Sequence, residues 1–553
     1  MRDDREQWWS SPEVWGGIEC THVRVGDGYR DQIVENGHRA RRGDLERIAG
    51  LGIRTLRYPV LWASVERNGR RDWRWHDARL AKMQALGIRP VAGLLHHGLG
   101  PDDLSPMDAG FAEDFGDYAE AVARRYPWLR MFTPINEPVT TARFNCLYGI
   151  WHPHRRDEAS FLRMVFGSAQ ATVMAMRRIR AVIPRAKLVQ TEDVGRVFAG
   201  PGLGYQADYE NLRRFLFFDL ICGRVDPSHG FWCKLVAVGV QVSELQTLCD
   251  APCPPDIIGI DQYLTSDRYL DPDLAAHPHT RPGGNGRDRY VDVSAVHVAA
   301  LEGQCGVIHR IREVHARYSL PIALTEVHNG STREEQLRWL AEAWEAAQLA
   351  RTEGIAVKAV AVWSLLGTTD WNSLLVSTAG HYECGAFDVR SMPPRLTALG
   401  TAVADLCETG SFSHPTLERP GWWRPEKSEA VEALFSVQGD EVLVLALREA
   451  CKMRRLTLGP RPVLGVIRAE RMADGRRLRF RFSSGLVVET QAQERPDAAV
   501  HAVLDLILDG ETGHLRLSHL AMHGQFRIER MTIGAVRRVP VPAAYERRAG
   551  LPA

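Results

Sequence analysis

No stretch of the 553-residue sequence approaches the roughly 20 consecutive apolar residues of a membrane-spanning helix. The charged start, Met1-Arg2-Asp3-Asp4-Arg5, runs straight into Trp8-Trp9 without the apolar core of a secretory signal. Excess charge is missing as well. Lys and Arg number 69 against 68 Asp and Glu, a formal net charge of +1, so neither nucleic acid nor an acidic partner is indicated. The ten Cys are scattered with no Cys-x-x-Cys pair and read as reduced thiols of a cytosolic protein. Cys249 and Cys253 have no second Cys or His pair to complete a metal site. His152-x-His154 and His277-x-His279 lie in proline-interrupted loops with no carboxylate at ligand spacing. There is no internal repeat and no low-complexity tract. Neither Gly16-Gly17 nor Gly283-Gly284-Asn285-Gly286 has the spacing of a dinucleotide-binding turn. These absences lead us to expect a soluble, cytoplasmic protein with no metal, no organic cofactor, and no nucleic-acid or membrane partner.

What the chain does have is length, apolar content and an alternating texture. At 45% hydrophobic it can bury a large core, and it is too long for one ordinary domain. From residue 14 to about 408, short apolar runs alternate with amphipathic patterns. Strands are expected at Val14–Glu19, Thr55–Pro59, Pro90–His96, Met131–Asn136, Leu188–Asp193, Ile257–Tyr263, Ile322–Glu326 and Val357–Leu365. Helices are expected at Gly43–Leu51, His76–Leu86, Phe111–Tyr126, Phe161–Ile183, Ala295–Tyr318 and Arg333–Glu353, with a last one opened by Pro393-Pro394. Continuous apolar strands between helices predict a parallel sheet covered on both faces. Eight strand–helix units predict an α/β fold, a (β/α)8 TIM barrel over residues 1–410. The long segment Ser266–Asp292 has no helical period and reads as a functional loop near a barrel mouth. Residues 411–425, with Pro415, Pro420-Gly421-Trp422-Trp423 and Pro425, read as a linker. Residues 426–553 read as a smaller antiparallel β-rich domain, with strands at Val442–Leu447, Leu478–Phe482, Leu486–Thr490, Ala502–Leu508, His514–Leu517 and Phe526–Ile533.

The polar residues gather at the carboxyl ends of the barrel strands, where a TIM barrel keeps its chemistry. Those ends carry Glu19, Arg57, His96-His97, Asn136-Glu137, Glu192-Asp193, Tyr263, Glu326 and Trp363 in strand order. In Phe132-Thr133-Pro134-Ile135-Asn136-Glu137-Pro138 an apolar strand delivers an amide and a carboxylate and is stopped by proline. Proline bars the preceding residue from the helical region, so Glu137 is expected to be extended. Such a Glu could cap a neighbouring helix. A second carboxylate on the same kind of mount, in Leu324-Thr325-Glu326, favours chemistry instead. Two carboxylates with Arg, His, Asn and Trp suit a sugar ring. The acids supply proton and nucleophile, polar groups take hydroxyls, and an indole takes the apolar face of the sugar.

Read together, these segments resemble glycoside hydrolase family 1, within the clan of retaining TIM-barrel β-glycosidases. Thr133-Pro134-Ile135-Asn136-Glu137-Pro138 resembles the family's Thr-Phe-Asn-Glu-Pro acid/base segment, with one extra residue before the Asn. Ile322-Ala323-Leu324-Thr325-Glu326 resembles its Ile-Thr-Glu-Asn-Gly nucleophile segment, with Val327-His328 ahead of Asn329-Gly330. Leu56-Arg57-Tyr58-Pro59 is similar to Tyr-Arg-Phe-Ser, Leu94-Leu95-His96-His97 to Leu-Tyr-His-Trp, and Gly259-Ile260-Asp261-Gln262-Tyr263 to Gly-Ile-Asn-Tyr-Tyr. Trp363-Ser364-Leu365-Leu366 with Asp370-Trp371 is similar to Trp-Ser-Leu-Leu-Asp-Asn-Phe-Glu-Trp.

The resemblance implies a glycoside hydrolase with Glu326 as nucleophile and Glu137 as acid/base. It implies supporting roles for Arg57, Asn136 and Tyr263, and substrate contacts from Glu19, His96, His97, Trp363, Asp370 and Trp371. A carbohydrate is then the partner. Transglycosylation, or a non-catalytic sugar-binding role in polysaccharide or nucleotide-sugar metabolism, are the alternatives. Two departures mean that glucose or galactose specificity does not follow from the resemblance. Asp370 stands where the family has Glu, and Gly17-Ile18-Glu19-Cys20-Thr21 replaces its Gln-containing first strand. The run Trp371-Asn372-Ser373-Leu374-Leu375, followed by Tyr382-Glu383-x-Gly385-x-Phe387-Asp388, is similar to a bacterial subset often fused to nucleotide-sugar reductase-like domains.

Overall fold

The computed structural model describes residues 11–278 and 280–424, and beyond them residues 435–439, 441, 465–471, 477–482, 487–491 and 526–530. Eight parallel strands close a barrel in chain order. They are β1 (Glu13–Gly17), β2 (Thr55–Pro59), β3 (Arg89–His96), β4 (Met131–Asn136), β5 (Lys187–Glu192), β6 (Ile257–Asp261), β7 (Ile322–Val327) and β8 (Val357–Val362), and β8 pairs back onto β1. Every residue of β2, β4, β6 and β7 is buried, as both-face covering demands. The covering helices include α1 (Asp44–Gly50), α2 (Arg74–Ala85), α3 (Phe111–Arg125), α4 (Glu158–Val182), α5 (Val307–Tyr318), α6 (Arg333–Thr352) and α7 (Ala398–Thr409). On α3, Phe111, Phe115, Tyr118, Ala119 and Val122 form one buried stripe at helical spacing. Helix α4 is capped by Asp157 and α6 by Thr332, each accepting from a backbone N–H of the first turn.

The barrel interior is filled from its amino-terminal end by Trp15, Val91, Met131, Val189, Ile257, Ala323, Ala359 and Ala361. Trp15 is fully buried, and the three alanines supply the space its indole needs. Near the other end, Gly17 lets the Trp363 ring lie against β1, because a Cβ there would come within 2.2 Å of the indole.

All eight expected strands are present, but several stop short. β1 ends at Gly17 rather than Glu19, β6 at Asp261 rather than Tyr263, and β8 at Val362 rather than Leu365. Site residues therefore stand just past the sheet, on loop backbone. The helix expected from Ala295 begins at Val307, after two 3-10 turns at Ala295–His297 and Ala299–Leu301. Pro393-Pro394 does not open α7. Phe387–Asp388 first pairs with Arg395–Leu396, and Thr397 then caps the helix at Ala398. The segment expected to be a loop, Ser266–Asp292, contains three short strands. Arg268–Asp271, Gly283–Gly284 and Arg289–Ser294 join Val197–Ala199 in four strands. Buried Asp267 anchors this sheet by accepting from Gly306 N, Arg196 N and Arg310 Nη1.

The chain divides into two compact units after Trp423. The expected linker is thus mostly part of the barrel unit. Arg338 on α6 donates to the carbonyls of Thr416 and Arg419, and buried Trp423 donates to Glu342. The second unit is described at Phe435–Gly439, Gly465–Arg471, Arg477–Phe482, Val487–Gln491 and Phe526–Arg530, one sheet in that order. Its first pair is parallel and the other three are antiparallel, so the sheet is mixed rather than wholly antiparallel. The expected strands Val442–Leu447, Ala502–Leu508 and His514–Leu517 lie outside the described residues.

Candidate active site

The carboxyl ends of the strands converge on Glu326 and Glu137. Glu326, the fifth residue of β7, is buried and holds two strong donors. Arg57 at the middle of β2 gives Nη1 to Glu326 Oε1 at 2.8 Å and to the Thr325 carbonyl at 2.8 Å. Tyr263, two residues past β6, gives its hydroxyl to Glu326 Oε2 at 2.5 Å. Arg57 Nη2 donates to Asn136 Oδ1, which also accepts from Thr191 Oγ1 at 2.8 Å. The amide oxygen of Asn136 is thus fully used, and its Nδ2 faces His97 Nε2 at 3.4 Å.

Glu137 has the opposite surroundings. Its Oε1 is buried with no hydrogen-bond partner, and its Oε2 lies 3.4 Å from His97 Nε2. Its backbone is not extended, as the following proline suggested, but left-handed, with φ 42° and ψ 62°. Proline did exclude the right-handed helical region. The chain turns through Glu137 directly into a short helix, Pro138–Ala142, and the left-handed conformation makes that turn within one residue. A non-glycine residue held there is strained by about 1–3 kcal/mol, which the surroundings must enforce. Part of that enforcement comes from Glu192 at the end of β5. Its carboxylate accepts from Val139 N at 2.7 Å and from Thr140 N and Oγ1, so it clamps the start of that helix. Glu192 and its neighbour Asp193, which accepts from Gly195 N, serve the loops and not the mouth.

The third carboxylate here escaped the sequence reading. Asp261, the last residue of β6, is fully buried and accepts from Thr325 Oγ1 at 2.6 Å. Glu137, Asp261 and Glu326 each offer an oxygen within 4.8 Å of the others. Arg57, 3.9 Å from Asp261 and bonded to Glu326, is the positive charge set among them. Burial raises all three carboxyls, Glu137 well above the usual carboxylate range and Glu326 to about 8. Of the two glutamates, Glu326 is where negative charge is less costly, because it has both guanidinium and phenol donors. The signal available in the sequence was an Asp in the position where the resembling motif has Asn.

His96 and His97 end β3 at right angles to each other, ring centroids 4.7 Å apart. His97 Nδ1 lies 3.0 Å from Thr141 Oγ1, and the ring sits 5.7 Å from the Trp371 ring. His96 stacks on Trp363 at 5.6 Å, and Arg57 Cζ lies 4.7 Å from that indole. Burial lowers both imidazoles, His97 to about 3, so both are neutral. Glu19 accepts from Thr21 N at 2.8 Å and from Trp363 Nε1 at 3.1 Å, and lies 3.8 Å from His96 Nε2. Asp370 is buried and tied into its own loop, accepting from His381 N at 2.7 Å and from Arg30 Nη2 at 3.1 Å. Trp371 Nε1 and His96 Nε2 are buried without partners. Trp151 was not foreseen. It is fully buried, packs 6.0 Å from Trp371 and donates to the Leu374 carbonyl. Of the histidine pairs, His154 has both ring nitrogens on backbone groups and His277 pairs with Asp271, while His279 lies outside the described residues.

With this geometry in place, comparison with known proteins becomes informative. Residues 13–378 match the sequence model of Glycosyl hydrolase family 1. The chain belongs to glycosyl hydrolase family 1. Aryl-phospho-beta-D-glucosidase BglC of Bacillus subtilis is 20% identical over 412 residues, covering 65% of this chain and 83% of that protein. Beta-glucosidase A of Thermotoga maritima is 21% identical over 403 residues, covering 65% and 84%. The solved structure of a Thermotoga maritima beta-glucosidase in complex with noeuromycin superposes with a TM-score of 0.57 at 16% identity, covering 74% of this chain and 99% of that one. That likeness establishes the shared barrel fold. Membership makes the chain a glycoside hydrolase of β-glycosidase type, with a carbohydrate as its substrate. Among the described residues no helix is long and apolar enough to cross a membrane.

Proposed function

We propose that this family-1 protein is a retaining β-glycosidase in which Glu326 attacks the anomeric carbon and Glu137 protonates the leaving oxygen. Glu137 then takes the proton of the water that releases the sugar. The observation that carries this reading is a close pair of carboxylates with unequal partners. Their nearest oxygens lie within 4.8 Å, which fits the about 5–5.5 Å carboxyl separation of retaining enzymes rather than the roughly 6.5–9.5 Å of inverting ones. Arg57 and Tyr263 favour the ionised form of Glu326, as a nucleophile needs. Glu137 has burial and like charge but no donor on Oε1, as a proton-holding acid needs.

Asn136, its oxygen already engaged, has Nδ2 available for the sugar 2-hydroxyl, where bonds strengthen in the transition state. Unpartnered His96 Nε2 and Trp371 Nε1 suit other hydroxyls. Glu19, His97 and Trp363 complete the grip on the non-reducing sugar, while Asp370, held by His381 N and Arg30, fixes the loop that carries Trp371. The glucosidase names among the relatives support a β-linked glucoside-like substrate, and the Trp371–Leu375 run supports placement beside the bacterial members that share it. The nine described cysteines are free thiols, which supports a cytoplasmic setting.

A panel of aryl β-glycosides, with NMR of the first-formed sugar, tests the reading. Turnover with a β-configured initial product is expected. Inverted product, or no turnover of any member, would overturn it.

A further inference from the structure

Asp261 sits where the family motif has an uncharged amide. On the β6–β7 ladder it is level with Glu326, after a register shift between Ile260 and Asp261. Its Oδ1 is taken by Thr325, while its Oδ2 and Glu137 Oε1 are both buried without a donor. The charged groups around this pair are engaged elsewhere, and His97 Nε2 lies 3.4 Å from the other oxygen of Glu137. Arg57 bonds Glu326, Thr325 and Asn136. The Tyr263 hydroxyl goes to Glu326. Glu19 serves Thr21 and Trp363, and Glu192 and Asp193 serve the backbone of their own loops. His96 and His97 are neutral. Asp261 and Glu137 offer oxygens within 4.8 Å of each other, and two carboxyl groups can join in a hydrogen bond only with a proton between them.

We propose that Asp261 shares one proton with Glu137, and so acts as a positioning residue that keeps on the acid/base carboxyl the proton it delivers to the leaving oxygen. The inference rests on reading Glu137 as the acid/base. Like charges this close cannot both ionise cheaply, so the second proton leaves the pair only at high pH. Among the like charges that raise the Glu137 carboxyl, Asp261 contributes most, ahead of Glu326. An Asn in its place would keep the shape and remove the charge. The expected consequence is an acid limb that persists into alkaline conditions.

The test is the pH profile of kcat/KM on an alkyl β-glycoside, whose leaving group needs protonation. Asp261→Asn should move the basic limb down by at least about one pH unit, a roughly tenfold loss at alkaline pH that shrinks toward acid pH. Asp261→Glu, which keeps the charge, should keep the limb high. A loss equal at every pH, or a limb that Asp261→Asn leaves in place, would overturn the proposal. Infrared difference titration reads the same proton without turnover. The unaltered protein should hold a protonated carboxyl stretch into the alkaline range, and both Asp261→Asn and Glu137→Gln should lose it at lower pH. If both variants retain it, the proton belongs elsewhere and the inference fails. If no glycoside is turned over yet the two variants lose the stretch, the shared proton stands and the hydrolytic reading of Glu137 fails.

Discussion

The two ends of the barrel interior are built from opposite materials. At the amino-terminal end, Trp15 is packed among Val91, Met131, Val189, Ile257 and three alanines, with nothing to titrate. A few residues along the same strands, the interior holds Arg57, Asn136, Asp261 and Glu326, with Glu137 at the rim, all buried. Both ends exclude water, but only the first gains stability from doing so. Burying apolar surface is favourable, whereas burying carboxylates costs free energy unless each is paired or protonated. One end of each strand is therefore selected for packing and the other for chemistry. The contrast predicts that mutations at the two ends affect different measurements.

The largest effect should come from Glu326→Ala. Removing the nucleophile should lower kcat by roughly 10⁴-fold or more while the melting temperature holds or rises. Azide, entering the space vacated, should restore turnover and give a product of inverted configuration. Glu137→Ala should lower the rate on alkyl glycosides by about 10²–10⁴-fold and on activated aryl glycosides far less, because a good leaving group needs little protonation. Equal losses on both would break the assignment of Glu137 as the acid. At the opposite end, Trp15→Ala should cost about 3–5 kcal/mol of stability in urea unfolding. The folded fraction should keep its kcat, since Trp15 belongs to the packed layer. A large fall in kcat per folded molecule would show that the two ends are coupled.

How much of this was legible depended on which end a residue serves. The packing end writes itself as apolar runs with strand or helix length, so eight strands and the barrel could be read directly. Glu137, Glu326, Arg57 and Tyr263 were legible because they fall in or just past barrel strands, within recognisable motifs. Asp261 was not, since an Asp after Gly-Ile reads like any strand-terminal residue until Thr325 and Glu326 are seen beside it. Nor was the conformation of Glu137. Proline excludes one backbone region locally, but the choice among the rest is held in part by Glu192 clamping the next helix, 53 residues away in sequence. The sheet formed by Arg268–Asp271 and Arg289–Ser294 was hidden because its partner, Val197–Ala199, precedes β6. Asp370 shows the same dependence. Its family position suggests a sugar contact, yet its two oxygens already hold His381 N and Arg30, a guanidinium delivered by the hairpin after β1.

The smallest effect expected is also the one that isolates the cost of the chemical end. Glu137→Gln keeps the size of the side chain and removes its charge. The carboxyl of Glu137 is raised in the folded protein by burial and by Asp261 and Glu326. A carboxyl raised on folding binds its proton more tightly in the native than in the unfolded state. Its contribution to stability is therefore fully present below the unfolded-state value near 4.5 and is lost as pH rises through the folded-state value. The unaltered protein should thus lose stability from about pH 5 upward through neutrality, apart from the other groups that titrate there. Glu137→Gln has no proton to lose at this position, so its stability should fall less steeply over the same range. At pH 8 the variant should be the more stable by about 1–2 kcal/mol, and the advantage should shrink toward zero below pH 4.5. Urea unfolding at several pH values measures both slopes. A variant less stable than the parent at pH 8 would mean that the Glu137 carboxylate is held by favourable partners there, and the proposed division between a packing end and a strained chemical end would fail at its central residue.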